Sequence, residues 1–174
     1  MLRMSELSEQ EELERGFNKI WMIWIAMLGT LGVYVILGGL FNDEIEISIS
    51  PESLKLITMM FYFIGVVEIA GAYVLRRFML SLQDKGVAPK SGQQSSVFNP
   101  SSTLAKYFPA VFISLAISES IAIFGLVLFF LGKSLPTFLI FTLISAIAMF
   151  IYRPKWDELE ELALAMKHHH TQLQ

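Results

Sequence analysis

"YFPAVFISLAISESIAIFGLVLFFL", residues 107–131, decides how this chain is read. Its 25 residues contain one carboxylate, Glu119, and no base. A helix on the surface of a soluble domain carries a polar stripe along its length. Here only three serines interrupt the apolar run. At 1.5 Å per residue the stretch reaches about 37 Å, more than the roughly 30 Å of a bilayer's hydrocarbon. It is predicted to be a transmembrane helix.

Three similar blocks lie around it. "IWMIWIAMLGTLGVYVILGGLF" (20–41) has no charge, "LITMMFYFIGVVEIAGAYVL" (56–75) has one carboxylate, Glu68, and "LPTFLIFTLISAIAMFIY" (135–152) has none. The predicted fold is all-α: a polytopic membrane protein with four transmembrane helices in a bundle. Composition agrees, with 54% hydrophobic and 17% charged residues, against about half and a quarter in soluble domains. There is no cysteine, which excludes disulfides and thiolate metal sites. A net charge of −3 points to no nucleic-acid partner. Residues 1–19 lack the short apolar core of a cleavable signal peptide, so the first span is expected to direct insertion.

Charge sets the orientation. Eleven of the 13 Lys and Arg residues lie in the N-terminal segment, the second loop or the C-terminal tail, leaving Lys55 and Lys133 for the other loops. The positive-inside rule then puts both termini in the cytoplasm. Trp21, Trp24, Tyr107, Tyr152 and Trp156 fall near the same interface, where aromatic anchors gather. Residues 1–19 read as a cytoplasmic helix with a capping box from Ser8 to Glu11. The Gly-, Pro- and Ser-rich segment 81–104 reads as a flexible cytoplasmic loop. Residues 153–174 read as an amphipathic tail with Leu159, Leu162, Ala163 and Met166 on one face. Ser50 with Pro51 and Ser134 with Pro136 mark the starts of spans two and four. Pro109 either kinks span three or begins it.

The candidate functional residues follow from the two acids. A charge at mid-helix costs roughly 2.5–3.5 kcal/mol on insertion scales. Loss of solvation disfavours the ionised form of a carboxyl, and a group so poised can take up and release a proton. Counting from the inner face, Glu119 lies about 18 Å deep and Glu68 about 12 Å deep, within about one helical turn of the same level. If the two faced each other they would share a proton. Gly65, Glu68 and Ala72 share one face of span two, and Ala116, Glu119 and Ala122 share one face of span three. Ser118 and Ser120 flank Glu119 as candidate ligands or tuning groups. Small residues allow close helix approach, and Gly29 with Gly32 suggests a packing groove on span one. A buried Glu can equally serve as a hydrogen-bond donor that fixes packing and moves nothing, and the serines can bond back to their own helix. His168–His170 reads as a solvated tail, and Asp43, Glu44 and Glu46 as solvated outer-loop acids. No phosphate loop, nucleophile set, metal motif or cofactor motif is present, and no catalytic activity is expected.

"AISESIAIFGLVLFFLG" (116–132) resembles the carboxylate-bearing helix of the proteolipid subunit c of rotary ATP synthases and ATPases. Glu119 matches that family's ion-carrying carboxylate, and Ile123–Leu128 matches the run after it. The match covers about a tenth of the chain. The loop of about 30 residues and the carboxylate on the third rather than the last of four spans depart from that family's pattern, so the resemblance implies a divergent, proteolipid-like four-helix protein rather than a ring subunit. The resemblance implies proton or cation transport and an oligomer. The expected function is therefore a membrane subunit that handles protons or cations through Glu119, with Glu68 assisting. The alternative is a structural or assembly subunit of a larger membrane complex. Expected partners are lipid and other membrane proteins, in a homo- or hetero-oligomer. The expected location is a prokaryotic plasma membrane, with an organellar membrane as the alternative.

Overall fold

A computed structural model describes residues 2–42, 49–82 and 100–172. These form five α-helices: α1 (Leu2–Phe41), α2 (Pro51–Leu82), α3 (Pro100–Gly132), α4 (Leu135–Ile151) and α5 (Trp156–Gln172). The sequence separates a short N-terminal helix from span one, but α1 runs unbroken through both. No proline lies between Leu2 and Phe41, and the polar first half is supported by the i,i+4 pair Glu11–Arg15 at 3.3 Å. Ser8 therefore lies inside α1 rather than at its cap.

The other boundaries follow local chemistry. At the start of α2, Leu54 N donates to Ser50 O and Ser53 N to Ser50 Oγ, while Pro51 occupies a position whose N–H would have no helical partner. Pro109 lies within α3, so the helix continues through a position that lacks one backbone donor. Only Lys133 and Ser134 separate α3 from α4. Lys133 makes the reversal with φ 52°, a left-handed conformation rarely taken by residues other than Gly, Asn and Asp. The two helices therefore form a tight antiparallel hairpin. Around Pro154 the chain bends by 42° from α4 into α5.

Helix α3 is the centre of the bundle, in contact with α1, α2, α4 and α5. Tyr107, Val111, Leu115 and Ala122 form its buried spine. Against that spine pack Ile20, Trp24 and Leu31 of α1, Ala72 of α2, Ala148 and Met149 of α4, and Leu159 and Leu162 of α5. A second cluster, Ile121, Leu128 and Phe141, meets Leu54, Ile57 and Phe61 of α2. Gly125 lets α3 and α4 approach closely: a Cβ there would stand 2.5 Å from the Phe141 Cβ. Hydrogen bonds cross between helices, from Trp24 Nε1 to Met149 O (3.0 Å), Ser145 Oγ to Ser118 O (2.6 Å) and the Tyr152 hydroxyl to Ile69 O (2.7 Å).

The outside is as apolar as the inside. Met22, Ile36 and Leu40 of α1, Met59, Phe63 and Val66 of α2, and Leu143 and Phe150 of α4 all point outward, with Met59 73% and Phe63 71% exposed. A patch on this scale marks a surface built to be covered. Gln10–Phe41, Pro51–Leu80 and Thr103–Gly132 are each long and apolar enough to cross a membrane, and α4 with the bent α5 makes a fourth at most. Helix α4 alone has 17 residues, about 26 Å. These helices are compatible with a multi-pass membrane protein.

Candidate functional site

The two acids meet α3 at consecutive residues. Glu119 belongs to α3, and Glu68 of α2 is bonded to Ser120. Consecutive residues on a helix point about 100° apart, so the carboxyls do not face each other. Each is held from a different side of α3.

Glu119 turns toward α1. Its Oε1 lies 2.7 Å from Thr30 Oγ1 and accepts a hydrogen bond from the Tyr34 hydroxyl at 3.0 Å. Thr30 and Tyr34 are four residues apart, so one face of α1 presents both hydroxyls to one carboxyl oxygen. The Thr30 hydroxyl is also 2.6 Å from Met27 O. Glu119 and Tyr34 are half-buried, with the buried Leu115 and Ala122 a turn to either side on α3.

Glu68 turns toward α3. Its Oε2 lies 2.9 Å from Ser120 Oγ, which in turn lies 2.6 Å from Ile117 O. The two sites are built alike: a carboxyl, a hydroxyl, and a carbonyl three residues before that hydroxyl.

The other predicted residues are placed as follows. Gly65 and Ala72 lie on the buried face of α2, with a Cβ on Gly65 in ordinary contact with Ile121 at 3.9 Å. Ala122 is buried, whereas Ala116 is exposed. Ser118 is brought to neither acid: its Oγ donates to Ser114 O at 2.9 Å, and its carbonyl receives Ser145. Gly29 and Gly32 face outward, with nothing within 4 Å of a built Cβ. Within the chain, α1 packs through Ile20, Trp24 and Leu31 instead. Among the described residues no three His, Cys, Asp or Glu side chains gather as metal ligands. Asp43, Glu44 and Glu46 lie outside the described residues.

Thr30 and Tyr34 were not among the residues picked out by sequence. Their signal was two hydroxyls at i,i+4 in a span with few other polar atoms. Arg76 was read only as a positive-inside residue, yet it is buried. Its Nη1 donates to Tyr152 O (2.7 Å), and its Nη2 to Arg153 O (3.4 Å) and Glu158 Oε2 (2.6 Å). These bonds occupy carbonyls that the end of α4 leaves without helical donors. Beside it the Tyr107 hydroxyl donates to Lys155 O and accepts from Lys155 N, both at 3.0 Å. Phe17 meets Trp156 edge-on at the same end, with centroids 5.2 Å apart.

No protein-family model, curated protein or solved structure matches the chain.

Proposed function

We propose that this protein is an integral membrane subunit that binds and releases protons or cations through Glu119. The observation that carries this reading is the Glu119 carboxyl inside an apolar helical bundle, held by the hydroxyls of Thr30 and Tyr34 on a neighbouring helix. An acid that served only solubility would point outward into water. This one points to a neighbouring helix, where two hydroxyls meet one of its oxygens.

Topology supports the reading. Arg76, Tyr107, Phe17 and the α4–α5 bend gather at one end of the bundle, which places Lys19, Arg77, Lys106, Arg153 and Lys155 near that end. Lys55 and Lys133 belong to the opposite end, at the start of α2 and the α3–α4 reversal. That asymmetry fits a cytoplasmic location for both termini.

The test is reconstitution of the full chain in lipid vesicles, with ion uptake followed by an internal pH dye and by sodium-sensitive fluorescence. An apolar carbodiimide should label Glu119 in a pH-dependent way, and Glu119→Gln should abolish both labelling and uptake. Uptake by the Gln variant equal to that of the unaltered protein would refute the reading.

A second reading, a structural or assembly subunit, is favoured by the outward face of α1. There Gly29 and Gly32 offer a smooth surface with no partner in the chain. Under that reading Glu119→Gln is silent, and Gly29→Leu with Gly32→Leu breaks association with other membrane proteins.

A further inference from the structure

The two carboxyl sites share a feature that a count of protons exposes. Thr30 Oγ1 stands 2.6 Å from Met27 O and 2.7 Å from Glu119 Oε1. Ser120 Oγ stands 2.6 Å from Ile117 O and 2.9 Å from Glu68 Oε2. All four separations are hydrogen-bond lengths for O–H···O. A hydroxyl carries one proton and can donate only once, although it can accept as well. A carbonyl oxygen only accepts, and so does an ionised carboxylate. Each hydroxyl thus has two short contacts and a proton for one of them.

Two arrangements satisfy the count. In the first, the hydroxyl proton lies on the backbone carbonyl, and the carboxyl is neutral and donates its own proton to the hydroxyl oxygen. In the second, the carboxyl is ionised and the hydroxyl turns to donate to it. The backbone carbonyl then keeps only its helical hydrogen bond. The change from first to second releases one proton and leaves one negative charge on the acid. Rotation about a single side-chain torsion connects the two.

We propose that Glu68 is a second proton-binding carboxyl, and that Ser120 and Thr30 are matched hydroxyl switches serving Glu68 and Glu119 on two sides of α3. The inference rests on the reading of the bundle as membrane-embedded and proton-handling. It names the proton as the ion and adds a second site that the Glu119 reading does not require. Calcium takes six to eight oxygens and magnesium six. Here Glu119 has two hydroxyl neighbours and Glu68 has one.

The surroundings leave these hydroxyls as the main local influence. Toward Glu119, α1 presents Tyr34 as its titratable group. Helix α4 has no titratable side chain anywhere between Leu135 and Ile151, and from α2 the nearby acid, Glu68, is turned to Ser120. Toward Glu68, α3 presents Ser120 and, next in the chain, Glu119, which is bonded to α1. The Tyr152 hydroxyl after α4 is committed to Ile69 O. Arg76, two turns along α2, is committed to Tyr152 O, Arg153 O and Glu158.

Infrared difference spectroscopy of the full chain in phosphatidylcholine vesicles tests the proposal. Spectra are taken between acid and alkaline buffer, in water and in heavy water, with potassium or sodium as the only metal cation. Over the background of the other acids, which titrate in the same interval, two carboxylic C=O bands are expected to depend on Glu68 and Glu119, both shifting on deuteration and both indifferent to sodium. Glu119→Gln should remove one, and Glu68→Gln the other. Ser120→Ala should move the Glu68 band alone, and Thr30→Val the Glu119 band alone. Circular dichroism confirms that each variant keeps its helix content, and the Ser120 and Thr30 variants test the switches without removing an acid. If Glu68→Gln changes no band while Glu119→Gln removes one, the inference falls and the Glu119 reading stands. If neither Gln variant removes a band, both fall. Loss of either band on adding sodium overturns the assignment of the proton.

Discussion

Replacing Arg76 with Ala should cost the fold about 2–3 kcal/mol, and the estimate can be built bond by bond. The guanidinium makes two short charge-assisted bonds, to Tyr152 O at 2.7 Å and Glu158 Oε2 at 2.6 Å. Hydrogen bonds to a charged group contribute about 1.5–3 kcal/mol each, so the gross loss is about 3–6 kcal/mol. Two effects reduce it. Glu158 is 27% exposed and keeps Lys155 Nζ at 3.6 Å, so its carboxylate is rehydrated rather than stranded. Removal of the guanidinium also ends the cost of burying it, including that of its Nε, which is buried without a partner. Glu158→Ala should also cost about 1.5–3 kcal/mol, because the buried guanidinium keeps its carbonyl acceptors but loses its counter-charge. The double variant should be little worse than Arg76→Ala alone, since the two residues share one interaction. Equilibrium unfolding in mixed micelles, followed by circular dichroism, measures all three. Hydrogen exchange should show faster exchange across Trp156–Met166 in Arg76→Ala while the α3–α4 hairpin stays protected. A loss below about 0.5 kcal/mol from Arg76→Ala, or a double variant whose loss equals the sum of the two single losses, would refute the reasoning.

Other expected outcomes are simpler. Tyr34→Phe and Thr30→Val should each keep the fold but reduce proton uptake in the vesicle assay, with the double variant close to Glu119→Gln; unchanged uptake in the double variant would separate these hydroxyls from the function. Gly125→Val should lower stability by about 1–3 kcal/mol through overpacking against Phe141, read as a fall in the unfolding midpoint. Gly29→Ala, on an open face in the interior of α1, should raise stability by about 0.5–1 kcal/mol in the same measurement. Ser145→Ala should cost about 0.6 kcal/mol, typical of a hydrogen bond between membrane helices, again by unfolding in micelles.

The helices were largely legible in the sequence because their signals are strong and local. Unbroken apolar runs and Ser-Pro starts marked α2 and α4. The change in polarity at residue 20 is not a change in backbone structure. Nothing at Lys19–Ile20 breaks a helix, and α1 continues through it. The two acids stood out in the sequence, and of their partners only Ser120 did, though as a neighbour of Glu119 rather than of Glu68. Depth counting put Glu68 and Glu119 at one level, and the Ser120 bond agrees. Which way each acid points depends on the rotation of α3 against α1 and α2, and that is set by packing among Leu31, Leu115, Ala122 and their neighbours. Periodicity within a single span carries no record of that rotation. The same limit applies to Gly29 and Gly32: spacing shows that they share a face but not what the face meets. Arg76 was hidden for another reason. A basic residue at the end of a span has an ordinary explanation in topology, and only the fold reveals that it caps α4.

The central place of α3 has a consequence for how the chain is made. Helices α1 and α2 leave the ribosome first, yet each packs mainly on α3 and they make little contact with each other. Until α3 arrives, Tyr34 and Glu68 lack the partners they have in the finished bundle. Before α3 is made, α1 and α2 thus carry polar groups whose partners the chain has yet to supply. Arrival of α3 supplies Glu119 to one helix and Ser120 to the other, and the two-residue reversal at Lys133 brings α4 behind it. Chains halted between α2 and α3 should be the ones that quality-control proteases recognise.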